Sequence, residues 1–406
     1  MRIDLAHCSF FKKDFLAAFV IVVNTFSWYF PLYFFFTGTL ENSQVGLFVP
    51  LVIISIHYIG AIGSAIVGVT LVKSISSRST FIRLWMLIGV ITSAILIALD
   101  ANNVEHLLLV SSLLGISLGL GFPSALAYFG DYTREENRGR LGGITFFASG
   151  LCMLIIGLLI NLTTFSFGVL IFAFWRGLGL ALFHIITPRQ EGRQSSREVS
   201  YKSILLDKYF VLYLVPWIMF CLVNFLEFPI VSSFEGADYI MIAEYGIGGF
   251  SALLSGWFAD SVGRKRMIIF GFIALGIGYA ILGLFSSLIF SLYFYMILDG
   301  IAWGIFILMF YLVIWADLAG NQTKEKYYLI GVLPFIVSGY IQILFTPYTE
   351  LVPISVAFSL ASFFLFLAVL PLLYAPETLP QKVMEKRQLE KYLEDVKKVK
   401  KKYEKE

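Results

Sequence analysis

Charged residues are scarce in this chain of 406 residues: Asp, Glu, Lys and Arg make up 14%, against about a quarter in a soluble globular domain. Hydrophobic residues supply 58%, and about a dozen apolar runs reach the ~20 residues that cross the ~30 Å core of a bilayer. Only helices and closed barrels satisfy their backbone in lipid, and alternating ten-residue segments are missing. The sequence therefore predicts an all-α membrane protein, with the lipid bilayer as its partner.

Further absences exclude several functions. The three cysteines, Cys8, Cys152 and Cys221, have neither metal-ligand nor redox spacing, so we expect no metal site and no cofactor. The chain lacks the G-x-x-x-x-G-K-[ST] loop of ATP-driven proteins and the serine elbow of hydrolases. No pattern indicates nucleic-acid binding. We therefore expect a protein that is not an enzyme and has no nucleic-acid partner.

Twelve apolar segments are predicted to span the membrane, and they are called span 1 to span 12 in chain order. They cover residues 14–36, 43–72, 80–99, 105–129, 141–161, 165–186, 209–232, 236–258, 267–286, 288–315, 327–347 and 351–374. The odd-numbered connections contain no Lys or Arg, whereas the even-numbered connections and the termini are basic. The positive-inside rule therefore predicts that both termini are cytoplasmic, and the plasma membrane is the expected location.

A polar segment at 187–208 divides the twelve spans into two sets of six. The predicted organisation is an N-terminal six-helix bundle at 1–186, a cytoplasmic linker at 187–208, a C-terminal six-helix bundle at 209–374 and a basic cytoplasmic tail at 375–406. One stripe of the tail is apolar at helical spacing, which fits either a helix on an anionic membrane surface or a solvated helix.

The two halves also share an internal repeat. Four pairs stand 186 positions apart: Arg78 with Arg264, Asp131 with Asp317, Arg138 with Lys324, and Arg140 with Lys326. A similar shift of 188 places Pro188 on Pro376. Nearly equal offsets in three successive basic connections indicate a duplication.

The connection between spans 8 and 9 reads GWFADSVGRKR and contains Gly256, Asp260, Gly263, Arg264 and Lys265. Gly263 permits a tight turn that a Cβ would hinder. A carboxylate such as that of Asp260 stabilises the N-terminus of a neighbouring helix by ~0.3–1 kcal/mol. The alternative for the three bases is that they only anchor the topology at the lipid headgroups.

The equivalent turn of the first half keeps the basic residue Arg78 but lacks the acid and the glycines. Ser74 stands where the repeat would place the acid of Asp260, and Ser77 stands where it would place Gly263. We therefore expect the side at Asp260 to carry most of the closure, and the side at Ser74 to be looser and to close mainly by packing.

Six plus six spans, the central linker and the pattern G-x-x-x-D-x-x-G-R-[KR] at 256–265 resemble the major facilitator superfamily. The resemblance implies two pseudo-twofold-related bundles around a central cavity. It also implies a gate in which Asp260 meets the start of span 5, near Gly142 and Gly143, with Arg138 and Arg140 close by. APETLP after span 12 and ENRGR after span 4 resemble sugar porters, whereas TPRQEG after span 6 departs from their pattern.

Five ionisable residues fall well away from the ends of the predicted spans, where a charge costs at least ~2.5–3.5 kcal/mol: Arg176, Asp299, Glu244, Glu227 and His57. Arg176 either forms a structural ion pair with Asp299 or Glu244, or belongs to a substrate-anion or proton-coupling site. Asp299 is the first candidate for proton coupling and Glu244 the second. Glu227 is expected at the solvated mouth, and His57 is either a pH-sensitive group or a hydrogen-bonded packing residue.

Four further residues are candidates for the cavity wall. Asn24 and Asn224 lie in the first span of each half, and the resemblance implies that these spans line the cavity. Trp28 could stack on a sugar ring, and Trp303 lies four residues after Asp299 on the same helical face.

These features predict a monomeric secondary transporter that moves a small-molecule substrate, a sugar or an organic metabolite, and is coupled to protons. A drug or metabolite efflux antiporter is the alternative within the class, although span 4 lacks the internal basic residue common in such antiporters. A membrane sensor that keeps the fold without transport is the alternative from another class.

Overall fold

The computed structural model describes residues 13–43, 48–75, 77–187, 197–231, 237–349, 351–381, 383–385, 389, 392–393 and 396. Cys8, Pro188 and most of the predicted basic tail lie outside the described residues. Wherever the structure describes the chain, the regular elements are helices, apart from one isolated bridge between the linker and the connection after span 10.

Helices of the first half follow the predicted spans closely. They are Lys13–Glu41, Val49–Ser74, Arg78–Ile95 with a 3-10 turn at Leu96–Ala98, Val104–Gly119 followed by Phe122–Tyr132, Arg138–Asn161 and Phe165–Ile186. Span 4 is interrupted after Gly119 because Pro123 cannot donate a backbone hydrogen bond and two glycines precede it. The side chains of Ser77 and Asn103 cap the helices that follow them.

The second half begins after a short linker helix, Tyr201–Leu206, that the sequence did not predict. Its spans are Lys208–Val231, Ala237–Val262, Arg264–Leu284, Ile289–Ile307 continued by Leu308–Val313 and Ile314–Ala319, Lys324–Thr349 and Ile354–Tyr374. The segment Leu308–Val313 of span 10 is π-helical, a form that is frequent at functional sites. Span 10 is therefore locally distorted in its second half.

Eleven helices in the described part of the chain have the length and hydropathy of membrane spans. The further long helix, Ala237–Val262, has 26 residues, which at 1.5 Å per residue is enough to cross a bilayer. The fold is therefore an all-α membrane fold with about twelve spans, as predicted.

Helix packing repeats between the halves. Span 2 packs on span 4, span 3 on span 6, and span 1 on spans 5 and 6; six spans later, span 8 packs on span 10, span 9 on span 12, and span 7 on spans 11 and 12. The two bundles meet where span 5 packs on span 8 and where span 2 packs on span 11. Each of these joints is the repeat image of the other.

Candidate functional site

Spans 5 and 8 approach each other through small residues at the end of the molecule that carries the connections after even-numbered spans, here called the basic face. A Cβ on Gly139 would lie 2.6 Å from Asp260 Oδ1, and one on Gly143 would lie 2.5 Å from the Ala252 carbonyl oxygen. A Cβ on Gly256 would overlap the Gly139 carbonyl group. The joint therefore depends on glycine on both helices.

Asp260 caps the first turn of span 5. Its carboxylate, fully buried, accepts hydrogen bonds from the backbone N–H of Gly139 at 3.0 Å and of Arg140 at 2.8 Å. The resemblance placed this contact near Gly142 and Gly143, and the structure has it about one turn earlier in the same helix. A buried carboxylate on two N-terminal amides forms strong, charge-assisted hydrogen bonds between the two bundles.

Asp317, at the end of span 10, joins two buried arginines from different halves. Its two carboxylate oxygens contact Arg138 of span 5 and Arg264 of span 9, and this set is called the Asp317 cluster. Arg264 also lies 3.6 Å from Asp260, while Arg138 donates to the Gly130 carbonyl at 2.8 Å. The contacts between the bundles therefore extend beyond the motif to an acid on span 10.

Gly263 turns the chain between spans 8 and 9 with φ of +120°, a conformation that L side chains rarely adopt. Directly behind it, Glu377 of the P-E-T sequence accepts from the backbone N–H of Arg264 at 2.9 Å and of Lys265 at 3.2 Å. The Lys265 ammonium donates to the Ala375 carbonyl at 2.9 Å. The bases of the motif thus bind protein groups in addition to any role as headgroup anchors.

Ion pairs also join the start of span 11 to spans 3 and 4, beside its joint with span 2, so the expectation that the side at Ser74 closes mainly by packing is wrong. Asp131 contacts Arg78 and lies 2.7 Å from Lys324 Nζ, and Arg78 lies 2.5 Å from Glu325. The set Arg78, Asp131 and Lys324 is called the Asp131 cluster, and its members are the repeat equivalents of Arg264, Asp317 and Arg138. The loss of the acid at Ser74 removed one cross-bundle contact and left this one.

The Asp131 cluster is the more exposed of the two. The Arg78 and Asp131 side chains are 22% and 10% exposed, whereas Arg264 and Asp317 are 0% and 2% exposed. Since solvent screens charge interactions, the Asp317 cluster is expected to contribute more to closure.

Aromatic rings from both bundles pack around Tyr311. Tyr311, in the π-helical segment of span 10, packs on Phe26 of span 1 at 5.7 Å and on Phe122 of span 4 at 5.8 Å between ring centroids. Trp217 and Phe335 of the second half contact the same ring at 6.0 and 5.7 Å. The distorted turn of span 10 thus carries a ring that touches both bundles.

Arg176 is fully buried inside the first bundle, and the predicted ion pair with Asp299 or Glu244 is wrong. Its guanidinium lies between the rings of Trp28 and Trp85, with centroids at 4.5 and 4.6 Å, and donates to Asn24 Oδ1 at 2.8 Å. Among the described residues no carboxylate lies within ion-pair distance of Arg176, and its Nε and Nη2 have no partner. Indole faces and amides stabilise this charge in place of an acid.

Asn24 and Trp28 face the interior of their own bundle and not the space between the bundles. Asn24 donates to the Trp175 carbonyl at 2.8 Å, and the Trp28 indole donates to Ser93 at 2.9 Å. Their prediction as cavity residues is therefore wrong for this structure. The sequence placed them in span 1 but could not give the rotation of that helix, which here directs both side chains towards Arg176.

Three carboxyl groups collect in the second bundle. Asp299 of span 10 is within electrostatic range of Glu244 of span 8 and Glu227 of span 7, and the three are called the acidic cluster. Glu227 is buried and accepts from Tyr279 at 2.5 Å and Tyr295 at 2.9 Å, so its predicted place at a solvated mouth is wrong. One oxygen each of Asp299 and Glu244 is buried without a partner among the described residues.

The remaining candidates are packing residues or line the centre. His57 is buried, with Nε2 at 2.7 Å from the Tyr29 hydroxyl and its ring 4.9 Å from that of Tyr33, which favours the hydrogen-bonded packing role. Asn224 is buried, and Trp303 packs edge-on against Phe220 at 5.2 Å. None of these contacts brings His57 to the acidic cluster.

The glycine seam gives a direct test of the joint. Gly256→Val is expected to separate spans 5 and 8 at the basic face, because its side chain would occupy the space of the Gly139 carbonyl group. We expect an Ala252→Cys reporter, buried at 2% exposure here, to react several-fold faster with an impermeant maleimide applied to the basic face.

Gly246→Val is the matched control, since a Cβ at that position of the same helix has open space. Both variants would carry replacements of the native cysteines. Equal labelling of the Gly256→Val and Gly246→Val proteins would contradict the proposed role of the seam.

Sequence reasoning missed several residues of these sites: Asp317, Asp131, Glu325, Tyr279 and Tyr295. The repeat contained a usable signal for the first two, since an acid recurs at the same offset as its two basic partners. The tyrosines gave no such signal, because aromatic residues are common throughout the spans.

Comparisons with known proteins agree with this architecture. A family model described as Major Facilitator Superfamily matches residues 15–322. No curated protein matches the chain in sequence.

Among solved structures, 247 chains match. The crystal structure of the human organic anion transporter MFSD10 (TETRAN) has a TM-score of 0.70 at 12% identity, over 89% of this chain and 99% of that one. The crystal structure of a double tryptophan mutant of XylE has a TM-score of 0.68 at 14% identity, over 92% and 98% of the two chains. The TM-scores show a shared fold over nearly the whole of each chain, and at identities this low the likeness shows the fold alone.

Proposed function

The chain belongs to the Major Facilitator Superfamily, and from this premise we propose that it is a proton-coupled transporter of a small solute. Its family makes it a secondary transporter and not an enzyme. The solute, a sugar or an organic metabolite, would pass between the bundles as they alternate access to the two sides of a plasma membrane.

The observation that carries proton coupling is the acidic cluster. Asp299, Glu244 and Glu227 share an apolar interior, and no cation lies within ion-pair distance of them among the described residues. Asp299 and Glu227 are buried and Glu244 is half-buried, so three carboxyl groups within electrostatic range cannot all be ionised here without counter-charge. The cluster therefore suits a proton that is bound in one state and released in the other.

The gate geometry supports alternating access. Both ion clusters join the bundles at the basic face, and the ring of Tyr311 touches both bundles. On the topology predicted from the basic connections, this face is cytoplasmic and the structure is closed towards the cytoplasm. Opening requires the loss of both ion clusters and of the Asp260 cap.

The experiment that tests the function is counterflow in reconstituted vesicles. Vesicles loaded with unlabelled sugars or organic acids are expected to accumulate the matching labelled solute, and an inward proton gradient should increase that accumulation. Saturable exchange would exclude the sensor interpretation, and exchange that never responds to pH would exclude proton coupling. Accumulation driven by the opposite gradient direction would favour the efflux antiporter.

We propose that Arg176 is a structural residue of the first bundle, because its guanidinium is enclosed by Trp28 and Trp85 and lies away from the space between the bundles. Arg176→Gln is expected to lower the unfolding temperature, because it removes two indole contacts of ~0.5–2 kcal/mol each and a hydrogen bond to Asn24. We expect the affinity for the solute, anionic or neutral, to stay within a few-fold of the wild type.

Thermal unfolding and counterflow KM values, compared for an anionic and a neutral solute, would check this expectation. Arg83→Gln is the control for loss of one arginine at the edge of the bundle, where its guanidinium lies 3.2 Å from His184. A tenfold or larger loss of affinity for the anionic solute alone, in a variant as stable as the wild type, would contradict the structural role.

A further inference from the structure

The joint between spans 2 and 11 lacks a counterpart of Asp260, yet an acid from outside the repeat lies there. Glu198, which precedes the short linker helix, contacts Lys73 and lies 3.3 Å from Lys326 Nζ. Lys73 precedes Ser74 at the end of span 2, and Lys326 is the repeat equivalent of Arg140 at the start of span 11. The carboxylate of Glu198 thus touches both sides of this joint, as Asp260 touches both sides of the other.

The linker segment that carries Glu198 is fixed to the second bundle. The Arg197 N–H donates to the Asn321 carbonyl at 3.2 Å, and the Thr323 N–H donates to the Arg197 carbonyl at 3.1 Å. The Lys326 ammonium donates to the Val199 carbonyl at 2.5 Å and lies 5.1 Å from the centre of the Tyr201 ring. These contacts hold the segment on span 11, so its pair with Lys73 is the part that crosses to the first bundle.

We propose that Glu198 is a gate residue that replaces the missing acid of the first-half motif and holds the basic face closed through Lys73. When span 2 moves away from span 11, the Glu198–Lys73 contact breaks while the segment stays on the second bundle. The inference rests on the proposed alternation of the two bundles.

Charge and exposure distinguish this contact from the Asp260 cap. Hydrogen bonds from Lys73 and Lys326 hold the pKa of Glu198 below its usual range, so the carboxylate stays ionised at neutral pH. The Glu198 and Lys73 side chains are 67% and 36% exposed, so salt should weaken their pair more than it weakens the buried Asp317 cluster.

The test measures opening directly, by distances between spin labels on the full chain in nanodiscs. The labels replace two exposed residues on opposite sides of the joint, Ser74→Cys and Asn321→Cys, in a background without native cysteines. At low salt we expect Glu198→Gln to raise the ratio of long to short distances about two- to fivefold, the range that an exposed ion pair supports. Lys73→Gln should give the same change, and the double variant no more than either.

Two further experiments distinguish the Glu198–Lys73 contact from general effects of charge. High salt should bring the wild-type distances to those of Glu198→Gln, and the exchange Glu198→Lys with Lys73→Glu should restore closure. Glu105→Gln, on the opposite end of the molecule, and Lys202→Gln, on the linker helix, are the matched charge controls and should leave the distances unchanged.

Wild-type distances in Glu198→Gln, or additive effects of the two single variants, would overturn the role of Glu198. If Asp317→Asn lengthens the distance and Glu198→Gln does not, only this inference fails. If no variant populates a longer distance, the proposed alternation fails with it.

Discussion

Asp317→Asn is expected to open the basic face and to have the largest effect of any single change in the gate. The substitution leaves the buried guanidiniums of Arg138 and Arg264 without their shared carboxylate. Removal of one partner of a buried ion pair costs about 3–5 kcal/mol, which corresponds to a factor of more than ~100 in an equilibrium. Separation of the bundles hydrates both arginines, so the cost falls on the closed state.

Spin labels across the joint of spans 5 and 8, at Asn137→Cys and Ser261→Cys, would measure this shift. The wild type should show mainly the short distance and Asp317→Asn mainly a longer one. Asp131→Asn is the matched comparison, since its cluster is the repeat equivalent, and it should shift the distances less because its charges are more exposed. A larger effect of Asp131→Asn would contradict the ranking of the two clusters.

Loss of fold is the competing outcome for Asp317→Asn, and a double variant distinguishes the two. Arg138→Gln combined with Asp317→Asn removes one of the two unpaired charges, so it should unfold at a higher temperature than Asp317→Asn alone and return part of the short distance. If the double variant is no more closed than the single one, repulsion between the two arginines is not the cause of opening.

Much of the fold could be predicted because its physical causes are local in sequence. Hydrophobic length gives the spans, the alternation of basic connections gives their order across the membrane, and the motif at 256–265 gives one turn of the gate. The recurrence of Asp131 as Asp317, at the same offset as their basic partners, also indicated the two ion clusters. The hypothesis that the Ser74 side closes by packing was wrong. It was based on the missing equivalent of Asp260 and did not consider Asp131, the equivalent of Asp317, which the first half retains.

Contacts that depend on helix rotation or on the linker could not be predicted in the same way. A span that is apolar on every face gives no signal for which side faces its own bundle, so Asn24 and Trp28 were placed on the wrong side. The predicted ion-pair partner of Arg176 was wrong for a related reason. Charge balance suggested an acid, whereas two indole rings 4.5 and 4.6 Å from the guanidinium supply the stabilisation. Glu198 was one acid among several in a polar linker.

Asp299→Asn is expected to abolish proton-driven accumulation while exchange of the solute continues. Asp299 is 2% exposed in span 10, and one of its carboxylate oxygens has no partner among the described residues. An amide occupies nearly the same volume but cannot take up and release a proton near neutral pH. The bundles would then alternate with the same solute whatever the pH gradient.

Accumulation in vesicles separates coupling from movement. One proton per cycle carries about 1.4 kcal/mol per pH unit, so the wild type should concentrate the solute up to ~10-fold at a gradient of one unit. Asp299→Asn should give no concentration above equilibrium, with counterflow rates within a few-fold of the wild type.

Glu227→Gln is the control within the acidic cluster, and its difference from Asp299→Asn decides which acid carries the proton. Glu227 already accepts hydrogen bonds from Tyr279 and Tyr295, so both its oxygens are occupied and its proton is not needed to satisfy the site. We expect Glu227→Gln to weaken accumulation without abolishing it. Retained uphill transport in Asp299→Asn, with loss in Glu227→Gln or in Glu244→Gln, would move the coupling role to that glutamate, because the three carboxyl groups share one electrostatic environment.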